Sequence, residues 1–226
     1  MGMARAAPLW MSLLDSRRLR RWLGSYLLCR VEGATGRFAL TFDDGPSPTH
    51  TPRILDLLER RGVRATFFVL GPHVRRHPAL VRRLAEAGHE IGIHGESHLP
   101  PALKPGSVLS REIERIHGLV FDLTGHRPRF YRPPFGLITP GQARLLRERG
   151  HRPVLGDVYP DDAERPGAAN IAARALARLG EGSILLLHDA SATRDFDRSQ
   201  TVEALDIILT EMANRGVSAG PLGEIA

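Results

Sequence analysis

Two adjacent carboxylates stand at the end of an apolar run near the start of the chain. Asp43 and Asp44 lie in "LTFDDGPS", residues 40–47, directly before a Gly-Pro turn. Neighbouring carboxylates repel each other, so a site that keeps both ionised usually contains a cation or gives the two acids different tasks. The pair therefore indicates a metal site, an acid–base site, or both.

Two histidines four residues apart can supply the remaining ligands of such a cation. His94 and His98 lie in "IHGESH", and on a helical turn this spacing places both imidazoles on one face. With one carboxylate of the Asp pair they make a His₂Asp set, which leaves a position open as catalytic zinc sites do. We therefore expect one divalent metal ion, with zinc as the first candidate and cobalt or nickel as alternatives.

Further groups suited to acid–base chemistry occur in three later segments. Arg132 lies in "FYRPPFG", Asp161 and Asp162 in "VYPDD", and His188 in "LLLHD". One Asp of the early pair can bind the metal while its neighbour, held ionised by Arg132, takes a proton from a water on that metal. His188 can then act as acid toward a leaving group, oriented by one of the two later aspartates. This division of roles suits hydrolysis of an amide or an ester.

The elements that must position these groups alternate regularly from Arg37 onward. Apolar runs alternate with segments of helical period that end in Gly, which indicates repeated βα units and a parallel sheet. Strands are predicted at residues 38–42, 65–70, 90–93, 129–132, 153–158, 183–187 and 217–221. The predicted fold is a distorted (β/α)7 barrel with outer helices, and such a barrel presents its reactive groups at the C-terminal ends of its strands.

Size, charge and cysteine content exclude several classes of protein. The 226 residues suit one α/β domain. Six arginines against two acidic residues in the first 36 positions account for +4 of the net charge of +6, so the barrel itself is not expected to bind nucleic acid. Cys29 is the single cysteine, which excludes an intrachain disulfide and a cysteine-based zinc site.

Residues 1–36 form a predicted extension to a domain of residues 37–226. Five apolar residues recur at helical spacing beside four arginines and predict a basic amphipathic helix: Leu19, Trp22, Leu23, Tyr26 and Leu27. Its apolar stripe can close one end of the barrel, which we prefer, or residues 17–28 can contact an anionic membrane surface. No clear signal peptide or membrane span is recognised, so the compartment stays open between cytoplasm and cell envelope.

The reactive segments, taken in order, resemble the polysaccharide deacetylase family, carbohydrate esterase family 4, with its NodB homology domain. They are "TFDDGPS", "HGESH", "RPPFG", "GDVYPDD" and "ILLLHD", and the resemblance covers roughly residues 37–226. It implies a distorted barrel enzyme that uses a metal to remove N-acetyl groups from chitin-like, peptidoglycan or related glycans. Some members of the family cleave O-acetyl esters of xylan instead.

The resemblance also implies which residues bind the metal and which one is the base. Asp43 resembles the general base, and Arg132 resembles the arginine that positions it. Asp44, His94 and His98 resemble the metal ligands. An acetylated glycan or oligosaccharide is the implied substrate.

The remaining roles concern the leaving group and the acetyl group. His188 resembles the general acid, with Asp162 preferred over Asp161 as its partner. The backbone of Phe135 would help to hold the oxyanion, and Leu186 would line the acetyl pocket.

Two departures from the family pattern concern the substrate more than the chemistry. Gly95 stands where the family often has Ser or Thr after the first metal histidine. The family often has a Trp near the aspartate that partners the acid. Here the neighbours are Gly156 and Ala163, and Tyr159 is the nearest aromatic residue. A small-molecule amidohydrolase therefore stays open as an alternative, beside an O-acetyl esterase with the same residues. A non-catalytic glycan-binding barrel is a third alternative, which the presence of base, ligands, arginine and acid disfavours.

Overall fold

Seven parallel strands form one curled sheet in the computed structural model, which describes residues 26–193 and 196–226. The strands are β1 (Arg37–Asp43), β2 (Thr66–Leu70), β3 (Glu90–Gly95), β4 (Phe130–Tyr131), β5 (Arg152–Pro153), β6 (Ile184–His188) and β7 (Ser218–Gly220). Their order is β5-β4-β3-β2-β1-β6, and β7 pairs with the start of β1. The predicted α/β fold with a parallel barrel-like sheet is confirmed.

Seven described helices surround the sheet, six of them predicted from their periodicity. They are α1 (Thr51–Arg61), α2 (Gly71–Arg76), α3 (Pro78–Glu86), α4 (Gly106–Thr124), α5 (Pro140–Glu148), α6 (Ala168–Leu176) and α7 (Ser199–Asn214). Thr139 caps α5 in a reciprocal capping box with Gln142, and left-handed Gly62 and Gly125 end α1 and α4. The unpredicted helix α2 has six residues, too few to show an amphipathic period.

The alternation of side chains along each strand decides which residues face the barrel interior. A small inner core contains Ala39 on β1, Phe130 on β4 and Ile184 on β6, whereas their strand neighbours pack outward against the helices. Side chains two residues apart share a face of a strand, so Asp43 lies on the same inner face as Ala39, and His188 on the same inner face as Ile184. The C-terminal ends of the inner faces are therefore polar.

Irregular segments bridge the gap between the edge strands β5 and β6. Leu28 pairs with Val154 and Val158 pairs with Leu185, both in parallel orientation, whereas a continuous fifth strand was predicted at residues 153–158. The Val31 N–H also donates to the Gly182 carbonyl over 2.8 Å. The barrel is thus closed by short bridges and not by a regular ladder, which is the distortion that the sequence pattern could not specify.

The segment before β1 takes part in this closure. Residues 26–28, the end of the predicted amphipathic helix, form a turn and a bridge in place of helix, while residues 17–25 lie outside the described residues. Leu27 and Val31 are buried, so this part of the segment packs against the barrel at the seam, whereas closure of a barrel end by the helix stays a prediction. The division at residue 36 and the membrane contact remain predictions, and no described helix is long and apolar enough to cross a membrane.

Replacement of Gly182 by Ala tests whether residues 28–31 belong to the barrel. Gly182 has a φ of 73°, and a Cβ there would overlap the carbonyl oxygen of Val31. We expect Gly182→Ala to lower the free energy of unfolding by about 2 kcal/mol or more, as measured by urea denaturation. In the matched control Gly118→Ala, within α4 and with no neighbour within 4 Å of the new Cβ, we expect a gain of about 0.5–1 kcal/mol. Equal effects of the two changes would contradict a packed seam.

Candidate functional site

The adjacent aspartates diverge because the backbone changes conformation between them. Asp43 is the last residue of β1, directly opposite His188 on β6. Asp44 has a φ of 75°, in the left-handed region, and starts the loop that contains the cis peptide bond Gly45–Pro46. Both side chains are buried, but they meet different partners.

Asp44, His94 and His98 come together as one group of possible metal ligands. One ligand atom from each residue lies within 4.8 Å of the other two. Asp44 Oδ1 is 3.5 Å from His94 Nε2 and 3.2 Å from His98 Nε2. The predicted helical turn is wrong: His94 lies at the end of β3 and His98 in the following loop with a φ of 50°. A strand end and a left-handed loop, and not the helical period, bring the two imidazoles to one point.

The state of these three side chains fits a bound cation. Asp44 Oδ1 is buried and accepts no hydrogen bond, which is costly for a carboxylate unless a cation is present. Burial acts to raise the pKa of Asp44, but the neighbouring imidazoles, that of His98 first, hold it well below its usual range. Burial lowers the pKa of His94, and its Nδ1 donates to the Arg132 carbonyl over 2.8 Å, which leaves Nε2 as the ligand atom.

Unusual backbone conformations concentrate at this site. Asp44, His98 and Phe135 all have positive φ although none is glycine. Each such residue costs of the order of 1–3 kcal/mol, and such residues cluster at functional sites because surrounding contacts hold them there. The rings of His98 and Phe135 pack with centroids 4.8 Å apart, which links two of the strained residues.

Asp43 is held by a buried arginine and not by the two histidines. Its Oδ1 accepts a hydrogen bond from Arg132 Nη1 over 2.7 Å, and the same nitrogen donates to Thr41 Oγ1 over 2.8 Å. The Arg132 guanidinium also lies over the ring of Phe68, 4.2 Å from its centroid. The other carboxylate oxygen, Asp43 Oδ2, faces the group of possible metal ligands and lies 3.9 Å from His94 Nε2.

On the other side of the cleft, His188 is paired with Asp162. His188 Nδ1 lies 2.8 Å from Asp162 Oδ1, and the His188 N–H donates to Asp162 Oδ2 over the same distance. Burial acts to lower the pKa of His188, but the charge and hydrogen bond of Asp162, with the charges of the Asp pair, raise it to about 9. Asp161, the alternative partner, points elsewhere and pairs with Arg174.

Two residues that the sequence analysis did not select complete the support of Asp162. Thr201 Oγ1 donates to Asp162 Oδ2 over 2.9 Å. Arg198 is buried, donates from Nε to the Ala190 carbonyl and lies 3.4 Å from the Asp162 carbonyl. Both lie at the start of α7 in "RSQT", and only the position of that helix end beside the site could have identified them.

A second buried acid lies beneath the loop of the Asp pair. Asp189 Oδ2 accepts a hydrogen bond from Thr51 Oγ1 over 2.5 Å, and Asp189 packs against Gly45, where any side chain would overlap its carboxylate. Burial, together with the charges of the Asp pair, raises the pKa of Asp189 to about 7. Gly45 is thus needed for close approach of the loop to this carboxyl group.

The assembled groups line a cleft of about 360 Å³, within the range of about 300–1,000 Å³ typical of small-molecule sites. Phe135 is 55% exposed at its rim, and Leu186 lies at its base. Tyr159 also lines the cleft, but its hydroxyl donates to the Leu155 carbonyl over 2.8 Å. Phe196 is a further aromatic residue of the wall that the sequence analysis did not select.

Comparisons with known proteins identify similar chains. The model of the family described as polysaccharide deacetylase matches residues 31–154. A peptidoglycan-N-acetylglucosamine deacetylase of Bacillus cereus is 39% identical over 194 residues, which cover 84% of this chain and 88% of that protein. A chitooligosaccharide deacetylase of a Bradyrhizobium species is 35% identical over 196 residues, which cover 82% of this chain and 89% of that protein.

A solved structure is similar over nearly the whole chain. The Bc1960 peptidoglycan N-acetylglucosamine deacetylase, in complex with 4-naphthalen-1-yl-N-oxidanyl-benzamide, has a TM-score of 0.84 and 30% sequence identity. The match covers 90% of this chain and 94% of that chain.

Separate replacement of the two adjacent aspartates distinguishes the metal ligand from its neighbour. We expect Asp44→Ala to lower zinc affinity by more than roughly 100-fold, beyond the usual effect of an outer partner, because its Oδ1 faces both imidazoles. Asp43→Ala retains zinc, since its carboxylate is held by Arg132. The measurement is titration calorimetry of metal-free protein with zinc. Equal losses in the two variants would contradict the assignment of Asp44 as the ligand.

The two candidate partners of His188 are distinguished by titration of its imidazole. In Asp162→Asn we expect the pKa of His188 to fall from about 9 toward its ordinary value, because burial is then opposed only by the charges of Asp43 and Asp44. Asp161→Asn is the control and leaves this pKa unchanged. Nuclear magnetic resonance of the histidine ring protons against pH follows both variants. A fall in Asp161→Asn alone would reverse the assignment.

Proposed function

This chain belongs to the polysaccharide deacetylase family, and from that membership we propose that it is a metal-dependent hydrolase that removes the N-acetyl group from N-acetylglucosamine residues of a glycan. The observation that carries the proposal is one cleft with a His₂Asp group, an arginine-held carboxylate beside it and a His–Asp pair opposite. The similar proteins named above act on peptidoglycan or on chitooligosaccharides, and both kinds of substrate contain the same acetylated sugar.

Asp44, His94 and His98 would hold one divalent ion, with zinc first among the candidates because nitrogen and carboxylate ligands suit it. Cobalt and nickel accept the same donors. When bound, the ion supplies Lewis-acid chemistry that polarises the acetyl carbonyl and lowers the pKa of water.

Asp43 is the proposed general base. Arg132 holds its Oδ1, so Oδ2 keeps a lone pair directed to the side of the metal ligands, where the attacking water must lie. The buried guanidinium thereby fixes the carboxylate in the orientation in which Oδ2 can accept a proton.

Phe135 and Leu186 are the proposed contacts of the acetyl group. The backbone N–H of Phe135 would donate to the oxygen that gains negative charge as the carbonyl is attacked. Leu186, on the inner face of β6 between Ile184 and His188, would pack against the acetyl methyl group.

His188 is the proposed general acid, oriented by Asp162. The hydrogen bond at Nδ1 assigns the second ring nitrogen, Nε2, to the leaving amine. A pKa raised to about 9 keeps the imidazole protonated near neutral pH, so it can give its proton as the C–N bond breaks. The complete set of base, ligands and acid argues against a barrel that only binds glycans.

Acetate release from a tetramer of N-acetylglucosamine tests the proposed function. We expect the zinc-loaded protein to release acetate, and Asp43→Asn to lower kcat by roughly 100-fold to 10,000-fold while zinc stays bound, because only the base is lost. Removal of zinc with a chelator abolishes release, and added zinc restores it.

Acetylated xylan, assayed in parallel, distinguishes the alternatives. Acetate from xylan alone would replace the proposal with an O-acetyl esterase that uses the same residues. Bound zinc without acetate from either substrate would contradict deacetylation of these glycans and would favour a small amide as the substrate.

A further inference from the structure

A second cavity of about 360 Å³ adjoins the catalytic cleft. Its walls come from the loop after Asp44, from helix α2 and from the loop after β6: Pro46, Ser47, Pro48, His73, Arg76, His77, Ala190, Ser191, Ala192 and Thr193. Ser191 lines both this cavity and the catalytic cleft, so the two spaces meet there. A sugar chain that places one residue in the cleft can therefore place a neighbouring residue or its substituent in the cavity.

Among the described residues that line this cavity, Arg76 is charged and none is acidic. Arg76 is exposed and, within residues 26–193 and 196–226, forms no ion pair with a carboxylate. Its neighbour Arg75, by contrast, is paired with Glu96. His73 and His77 add ring nitrogens next to Arg76. Burial, and to a smaller extent the charge of Arg76, lowers the pKa of His73.

His73 connects the cavity wall to the catalytic loop. Its Nδ1 donates to the carbonyl of Asp44 over 2.7 Å. The ring is thereby fixed in orientation, and its Nε2 is left as a hydrogen-bond acceptor, the group that a sugar hydroxyl needs. This hydrogen bond thus fixes helix α2, which contains Arg76, relative to Asp44, the proposed metal ligand.

We propose that this cavity binds a carboxylate carried by the sugar next to the one that is deacetylated, with Arg76 as the residue that recognises it. A guanidinium forms paired hydrogen bonds with a planar carboxylate, and the described lining residues offer no carboxylate of their own to compete for it. The inference rests on the proposed function and narrows it: the preferred substrate is an anionic glycan and not a neutral oligomer of N-acetylglucosamine.

The test compares two oligomers that differ only in charge. In the first, N-acetylglucosamine alternates with a sugar that bears a lactyl ether carboxylate; in the second, the same carboxylates are converted to amides. We expect the wild-type protein to have a higher kcat/KM for the acidic oligomer than for the amidated one. In Arg76→Gln we expect kcat/KM for the acidic oligomer to fall roughly 10-fold or more through a rise in KM, which is the usual effect of the loss of one charged hydrogen bond. The amidated oligomer is unaffected by Arg76→Gln.

Arg75→Gln is the matched control, since it removes an equal charge from the same helix turn but from a residue paired with Glu96. We expect it to leave both oligomers at wild-type rates. Equal kcat/KM of wild type for the two oligomers, or equal losses for both in Arg76→Gln, would overturn the anionic subsite.

Binding separates failure of this inference from failure of the proposed function. If neither the neutral tetramer of N-acetylglucosamine nor the two alternating oligomers release acetate, the proposed activity fails, and calorimetry with the two alternating oligomers still decides the subsite. Tighter binding of the acidic oligomer by wild type, lost in Arg76→Gln and kept in Arg75→Gln, supports it. Equal binding of both oligomers would refute it.

Discussion

Two buried carboxylates on successive residues can stay ionised only if each has a separate source of positive charge. Asp43 has the guanidinium of Arg132, and Asp44 faces two imidazoles that suit a divalent cation. The positive φ of Asp44 makes this separation possible, because it turns the second side chain away from the direction that the strand gives the first. This local divergence places one carboxylate beside Arg132 and the other beside the two imidazoles.

The inner ends of the strands are the part of the site that periodicity can predict. Alternation on β1 and β6 leads to Asp43 and His188, and the parallel sheet then brings them opposite each other. The backbone at His98 could not be predicted, because a left-handed conformation in a non-glycine residue depends on contacts such as the Phe135 ring. Leu28 at the seam and Arg198 beside Asp162 were missed for a related reason: both act through partners distant in sequence.

The two halves of the cleft are stabilised in different ways. The metal side depends on strained loops that need tertiary support, with three left-handed residues in contact or close to it. The acid side depends on a dense set of hydrogen bonds to one carboxyl group, Asp162, from the His188 ring and backbone and from Thr201. A change in one of the loops should therefore disturb the proposed metal ligands first, whereas a change at the start of α7 should disturb the proposed acid His188 first.

Arg132 supports both the proposed base and a proposed metal ligand through different parts of one residue. Its guanidinium holds Asp43, while its carbonyl fixes the ring of His94. A single residue thus connects the position of the proposed base to the position of a proposed ligand, so a displacement of Arg132 would disturb both. Such a site offers little room for gradual change, so diversity of substrates has to arise in the surrounding loops, where side chains can be exchanged while the reacting atoms keep their places.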